Sequence, residues 1–275
     1  MTSDPQWILW AGTIDITGPL EPRIAAAVAN GYTCISVSPV DIARAEDQGV
    51  SAVEVGKRIR DSGLSIILDP VMNWYGGIPA ASSRFGMFPT RDSLRMCADL
   101  QVASLSLIAQ REGDIALDAM VEPFAAVCAA AADFGARVHL EFIPMTEVPD
   151  LASAWAIVDG AAAPNGGILL DTWHFFRGNP DLELLAGLPG ESIMAVQVDD
   201  AHEQVRGSLW EDTRERLLPG DGSFDLDSVM TVLHEIGGLT WVGPEVISAH
   251  MSSLEPNEAA RIAGERVREL VARTA

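Results

Sequence analysis

The fold class predicted for this chain of 275 residues is α/β, a single (β/α)8 barrel, and three observations predict it. Short β-type runs alternate with helix-patterned stretches, the sequence form of βα units in a parallel sheet. Eight such units can be counted. The runs hold little polar spacing, as expected of strands covered on both faces. No linker splits the chain, so one domain over 1–275 is expected, a length that α/β barrels commonly reach undivided.

The expected strands cover 7–12, 32–37, 65–68, 103–109, 137–142, 167–171, 193–198 and 240–246. ISV, SIIL, SLSLI, ILL and MAVQV are their buried cores. Between them IAAAVANG, VGKRIRDSG, MVEPFAAVCAAAADFG and FDLDSVMTVLHEIGG space apolar residues near a period of 3.6, and several end in glycine, a usual helix stop. A last helix over 255–275 aligns Ala260, Ala263, Val267 and Leu270 on one face and would close the outer ring. Two connections are long: 72–90, with NWYGG and SSRFGMFP, and 202–224, with LLPGDGSF. Loops of this length are uncommon unless functional or disordered, and in a barrel they lie above the mouth. They are expected to act as lids, with Trp74, Tyr75, Phe85 and Phe88 either covering a ligand or packing against the rim.

Lys and Arg number 18 against 39 Asp and Glu, a formal charge of -21. A phosphate backbone would be repelled, so nucleic acid is not an expected partner. Cys34, Cys97 and Cys128 match neither a disulfide framework nor a zinc spacing, which points to a reducing compartment. MTSDPQW lacks the basic start and apolar core of a signal peptide, and no stretch approaches the roughly 18 apolar residues of a membrane span. A cytoplasmic protein with no membrane association is expected.

Four of the runs, RVHLE, GILLD, IMAVQ and TWVGPE, end in an oxygen donor: Glu141, Asp171, Gln197 and Glu245. The carboxyl ends of barrel strands converge on one mouth, where barrel enzymes place their chemistry. Neighbouring parallel strands lie about 4.8 Å apart, so side chains from adjacent tips can meet one ion at the roughly 2.0–2.6 Å of hard cations. Three carboxylates and an amide oxygen favour Mg²⁺ or Mn²⁺ over a soft metal, with Zn²⁺ or Co²⁺ as alternatives. His174, in LLDTWHFF, is open between a catalytic and a core role. Glu147, in EFIPMTE, is open between the site and the start of the next helix.

HLEFIP, ILLDTWHFFRG, AVQVDDA, RLLPGDGSFDL and WVGPEV together make the chain resemble the sugar phosphate isomerase/epimerase superfamily, the xylose isomerase-like TIM barrels that include AP endonuclease family 2. The resemblance covers nearly the whole chain. It implies one divalent metal held by Glu141, Asp171, Gln197 and Glu245. It also implies Glu141 and Glu245 as an acid/base pair, His174 as a group that orients or polarises the substrate, and Glu147 as a substrate contact. Many members carry His where this chain has Gln197; Gln there resembles hydroxypyruvate isomerases and some 3-dehydroshikimate dehydratases. The family's loop arginine corresponds to Arg206, Arg214 or Arg216, and RLLPGDG favours Arg216. Trp10, Asp69, Asn73, Trp74 and Gln110 are candidate pocket walls, with Trp74 and Gln110 the expected substrate contacts.

A divalent ion on a ketone and its neighbouring hydroxyl stabilises the enediolate formed when a C–H is lost. The leading expectation is therefore a metal-dependent isomerase or epimerase of a small keto sugar or cyclic polyol ketone. Loss of a β-hydroxyl from the same intermediate would make it a dehydratase of inosose or 3-dehydroshikimate type. A sugar-binding barrel without turnover is a third reading. DNA repair of the endonuclease IV kind is disfavoured by five histidines in total and a charge of -21. Pairing through helical rims makes a homodimer the expected assembly.

Overall fold

The computed structural model describes residues 4–14, 17–76, 78–79, 84–109, 111–112 and 115–275. Its eight barrel strands are β1 (Gln6–Leu9), β2 (Cys34–Val37), β3 (Ser65–Val71), β4 (Ser104–Ile108), β5 (Arg137–Glu141), β6 (Gly166–Asp171), β7 (Ile193–Val198) and β8 (Trp241–Pro244). They neighbour one another in chain order and close between β1 and β8. Every residue of β2, β4 and β7 is buried, which is why these strands read as unbroken apolar runs.

Two compact units make up the chain, Met1–Ile35 with Leu170–Ala275, and Ser36–Leu169. In the first, β8 pairs in parallel with β1 and with β7, placing Gln197 opposite Gly243. Helix α1 (Leu20–Ala29) packs on the last helix (Pro256–Arg273), whose Ala260, Ala263, Val267 and Leu270 are all buried, as their spacing predicts. The Tyr32 hydroxyl donates to the Ala260 carbonyl at 2.7 Å.

In the second unit β4 pairs with β3 and β5, and Glu141, the last residue of β5, lies opposite Leu169. The helix Pro39–Asp47 starts with a reciprocal cap: the Asp41 amide donates to the Ser38 side chain, and the Ser38 amide donates to the Asp41 carboxylate. Asn73 donates from its amide to the Gly86 and Phe88 carbonyls, each at 2.7 Å, cross-linking the long connection after β3.

Several strand boundaries differ from the sequence expectation, three of them near the candidate site or by several residues. β1 stops at Leu9 because Ala11–Thr13 winds into a 3-10 turn. β3 runs on to Val71. β8 stops at Pro244, which leaves Glu245 on the first residue beyond the strand. Two short helices between β6 and β7, Thr172–Arg177 and Leu182–Gly187, were not announced by any apolar period. At one turn and a half each they are too short for periodicity to register.

Candidate metal centre and active site

Asp171, Gln197, Glu245, His174 and Arg216 all belong to the first unit, and all are buried. Asp171 ends β6 and at the same time caps the helix Thr172–Arg177. Its Oδ1 accepts the His174 amide at 2.9 Å. This local bond accounts for the three-residue spacing in DTWH, because a capping carboxylate binds the amide of the third residue on. His174 is thereby set in the first turn, where it and Asp171 each offer a ligand atom within 4.8 Å of the other.

Glu245 is positioned from the 3-10 turn that follows β1. Thr13 Oγ1 donates to the Pro244 carbonyl at 2.7 Å and accepts the Val246 amide at 3.1 Å, clasping the chain on either side of the glutamate. Gly12 is required here: a Cβ would stand 2.9 Å from both Cγ and Oε1 of Glu245.

Gln197 is 1% exposed, and neither atom of its carboxamide has a hydrogen-bond partner among the described residues. Native interiors rarely leave a buried amide so. A hard cation bound at Oε1 would satisfy the carbonyl half of the carboxamide. The donor chemistry of this set, carboxylates and an amide oxygen with one imidazole, therefore fits a divalent ion.

Arg216 is nearly sealed from solvent. Its Nη1 donates to Asp171 Oδ2 at 2.6 Å and to Asp199 Oδ2 at 2.5 Å, and lies 3.7 Å from Glu245 Oε2. The guanidinium carbon lies 5.5 Å from the centre of the Trp173 ring. Of the three arginines left open by sequence, Arg216 is the one held against the strand-end carboxylates; Arg206 reaches Glu215 at the surface.

Burial pushes the Asp171 carboxyl up, but the Arg216 charge, His174 and the capping amide outweigh it and hold it below the usual carboxylate range. Burial and the negative charge of Asp171 raise Asp199 well above that range, with Arg216 and Thr172 offsetting only part. Burial lowers the His174 imidazole to about 4, so it is neutral at pH 7. For Arg216 burial favours the neutral form, yet Asp171, Asp199 and Glu245 raise its pKa above the ordinary value.

Of the remaining site residues, Glu141 is buried at the end of β5, and Glu147 is half-buried in the connection that follows. The helix after Glu147 is capped by Asp150, whose Oδ1 accepts the Ser153 amide at 2.9 Å, so Glu147 does not serve as that cap. Trp74 is buried, donates its indole N–H to the Ile108 carbonyl at 2.9 Å, and meets the Phe124 ring edge-on. Gln110 lies outside the described residues.

Asp199, Asp200 and Asp212 were not foreseen as site residues. Asp200 accepts the amides of Gly220, Gly222 and Phe224 at 3.0 Å and of Ala201 at 2.8 Å. Asp212 accepts from Trp173, Arg177 and the Arg206 amide. The available signal was AVQVDD, where Asp199 follows Gln197 at the two-residue period of one strand face.

The family model of the xylose isomerase-like TIM barrel matches residues 24–270. The chain belongs to this family. As a xylose isomerase-like barrel it is 29% identical to an inosose isomerase of Bacillus subtilis over 142 residues, 51% of this chain and 50% of the relative. It is 26% identical to a 3-dehydroshikimate dehydratase of Pseudomonas aeruginosa over 224 residues, 78% of this chain and 34% of the relative. The chain thus spans half or less of the length of these curated relatives in the matched regions. Among solved structures, the IOLI protein with a bound zinc atom superposes with a TM-score of 0.86 at 20% identity, covering 98% of this chain and 99% of that one. That likeness shows the shared fold.

Proposed function

We propose that this chain is a divalent-metal-dependent isomerase or epimerase of a small keto sugar or cyclic polyol ketone. The observation that carries the reading is the buried, unpartnered carboxamide of Gln197 on the strand next to that of Asp171. An interior bears such a cost where a ligand supplies the missing contact. The proposed metal ligands are Glu141, Asp171, Gln197 and Glu245, and Mn²⁺ or Mg²⁺ suits their oxygens best. Further support comes from Glu141, Asp171 and His174, three buried residues each able to offer a ligand atom. The matched inosose isomerase acts in name on a cyclic polyol ketone.

When bound, the cation supplies Lewis-acid stabilisation of the charge that develops on the substrate oxygens. Glu141 and Glu245 are the proposed groups that take a proton from one carbon and return one to its neighbour or to the opposite face. His174, neutral at pH 7, hydrogen-bonds a substrate oxygen without adding charge. Glu147, Trp74, Gln110 and Arg216 are the proposed substrate contacts. Three buried, separate cysteines suit a reducing cytoplasmic setting, and no helix among the described residues is long and apolar enough to cross a membrane.

Metal analysis of purified protein, followed by solvent deuterium incorporation into candidate ketoses and inososes, tests this. Exchange that disappears on chelation and returns with Mn²⁺ is the expected result. Exchange that persists without metal would contradict it. A dehydratase is the second reading, favoured by the alignment with the 3-dehydroshikimate dehydratase over 78% of the chain. A conjugated product absorbing in the ultraviolet would select it.

A further inference from the structure

Asp199 has no part in the roles assigned above, yet it is fully buried and held at every polar atom. Thr172 Oγ1 contacts its Oδ1 at 2.8 Å and its carbonyl at 2.9 Å, and accepts its amide at 2.9 Å. Its other carboxylate oxygen receives Arg216 Nη1, the same nitrogen that binds Asp171 Oδ2. Asp171 therefore has Oδ1 committed to the His174 amide and Oδ2 to a guanidinium. A divalent ion that needs Asp171 must share an oxygen with Arg216 or displace it.

The charges indicate how that conflict is resolved. Asp171, Asp199 and Glu245 surround one guanidinium, so Arg216 divides its charge and its hydrogen bonds among three carboxyl groups. Without Asp199 as an anchor, Arg216 would bear on Asp171 and Glu245 alone, and an incoming cation would meet carboxylates whose charge the guanidinium offsets further. In a buried cluster such pairings are weakly screened and act strongly on one another.

We propose that Asp199 is a positioning residue that anchors Arg216 as an internal counter-cation, leaving Asp171 and Glu245 with enough negative charge to take up a divalent ion. This rests on the metal reading given above. It makes Arg216 an antagonist of metal binding in the free protein, and Asp199 the residue that limits the antagonism.

Titration calorimetry of the chelator-treated full chain with Mn²⁺ alone tests it, on wild type, Asp199→Asn, Arg216→Met and the double variant. Loss of an outer contact to a metal ligand typically costs about 10- to 100-fold in metal affinity, and Asp199→Asn is expected to weaken Mn²⁺ binding by that factor. Arg216→Met is expected to bind Mn²⁺ at least as tightly as wild type, and the double variant to bind like Arg216→Met. Asp199→Ser serves as a second neutral variant, and thermal unfolding of each metal-free protein checks that it is folded. Wild-type affinity in both Asp199 variants, weaker binding in Arg216→Met, or losses that simply add in the double variant would each overturn the role of Asp199. Wild-type protein that takes up no Mn²⁺ would instead overturn the metal reading on which it stands.

Discussion

At the scale of single residues, Asp171 and Gln197 carry opposite strains. Asp171 has a donor on each carboxylate oxygen, while the Gln197 carboxamide has no hydrogen-bond partner among the described residues. An unsatisfied buried polar group costs about 1–3 kcal/mol, so Gln197→Leu, close in volume, should stabilise the metal-free protein by about that amount. The same change should weaken Mn²⁺ binding. Urea unfolding with and without Mn²⁺ measures both, and a variant that is destabilised without metal would count against the strained amide.

At the scale of elements, the connection after β7 is a pinned structure, although its length suggested a lid. Asp200 gathers four backbone amides of 201–224, and a Cβ on Gly222 would run into its carboxylate. Asp212 binds the Arg177 Nε at 2.8 Å in an ion pair whose side chains are 8% and 3% exposed. Breaking a buried pair from one side strands the other charge and costs about 3–5 kcal/mol. Asp212→Ala should therefore lower stability by about that much, read as a fall in the urea midpoint. A change under about 0.5 kcal/mol, typical of surface sites, would mean that the loop is held by other contacts. Phe176 stacked on Phe224, ring centres 4.6 Å apart, is the next such contact to remove.

At the scale of the whole molecule, stability is linked to acid and to metal. Burial, with the Arg137 charge adding to it, lowers the His139 imidazole to about 3, and its Nε2 lies 3.1 Å from Ser104 Oγ. The unfolded chain protonates this group near pH 6.5 while the fold refuses the proton. Stability is therefore complete above about pH 6.5 and is lost as pH falls toward 3, at about 1.4 kcal/mol per pH unit for one group. His139→Gln, measured by urea unfolding of metal-free protein between pH 7 and 4, should flatten the slope by that amount; an unchanged slope would show that His139 is not the group responsible. Mn²⁺ at about 100 times its dissociation constant should raise the unfolding free energy by about 2.7 kcal/mol, and a chelator should reverse the gain.

The eight strands, the buried face of the last helix and the placement of Asp171, Gln197 and Glu245 at or just beyond strand ends were legible in the sequence. A covered parallel strand must be apolar throughout, and a residue that ends it with an oxygen interrupts that pattern visibly. The same logic located Glu141 at the tip of β5. The exact strand ends were less legible, because Thr13 and Gly12, remote in sequence from Pro244 and Glu245, fix where β8 stops and how the glutamate sits.

Sequence by itself determined the fold class and the set of candidate donors, because these rest on periodicity and on residues local to each strand, and it pointed to the family through motifs such as HLEFIP and ILLDTWHFFRG that resemble the family's own. Only the tertiary structure decided that Arg216, the arginine favoured by RLLPGDG, pairs with Asp171, that Asp199 shares it, and that Asp200 and Asp212 hold the connection after β7 in place. Charge pairing depends on which side chains approach within a few ångströms after burial, and residues 171, 199 and 216 are too far apart along the chain for any local pattern to encode that meeting.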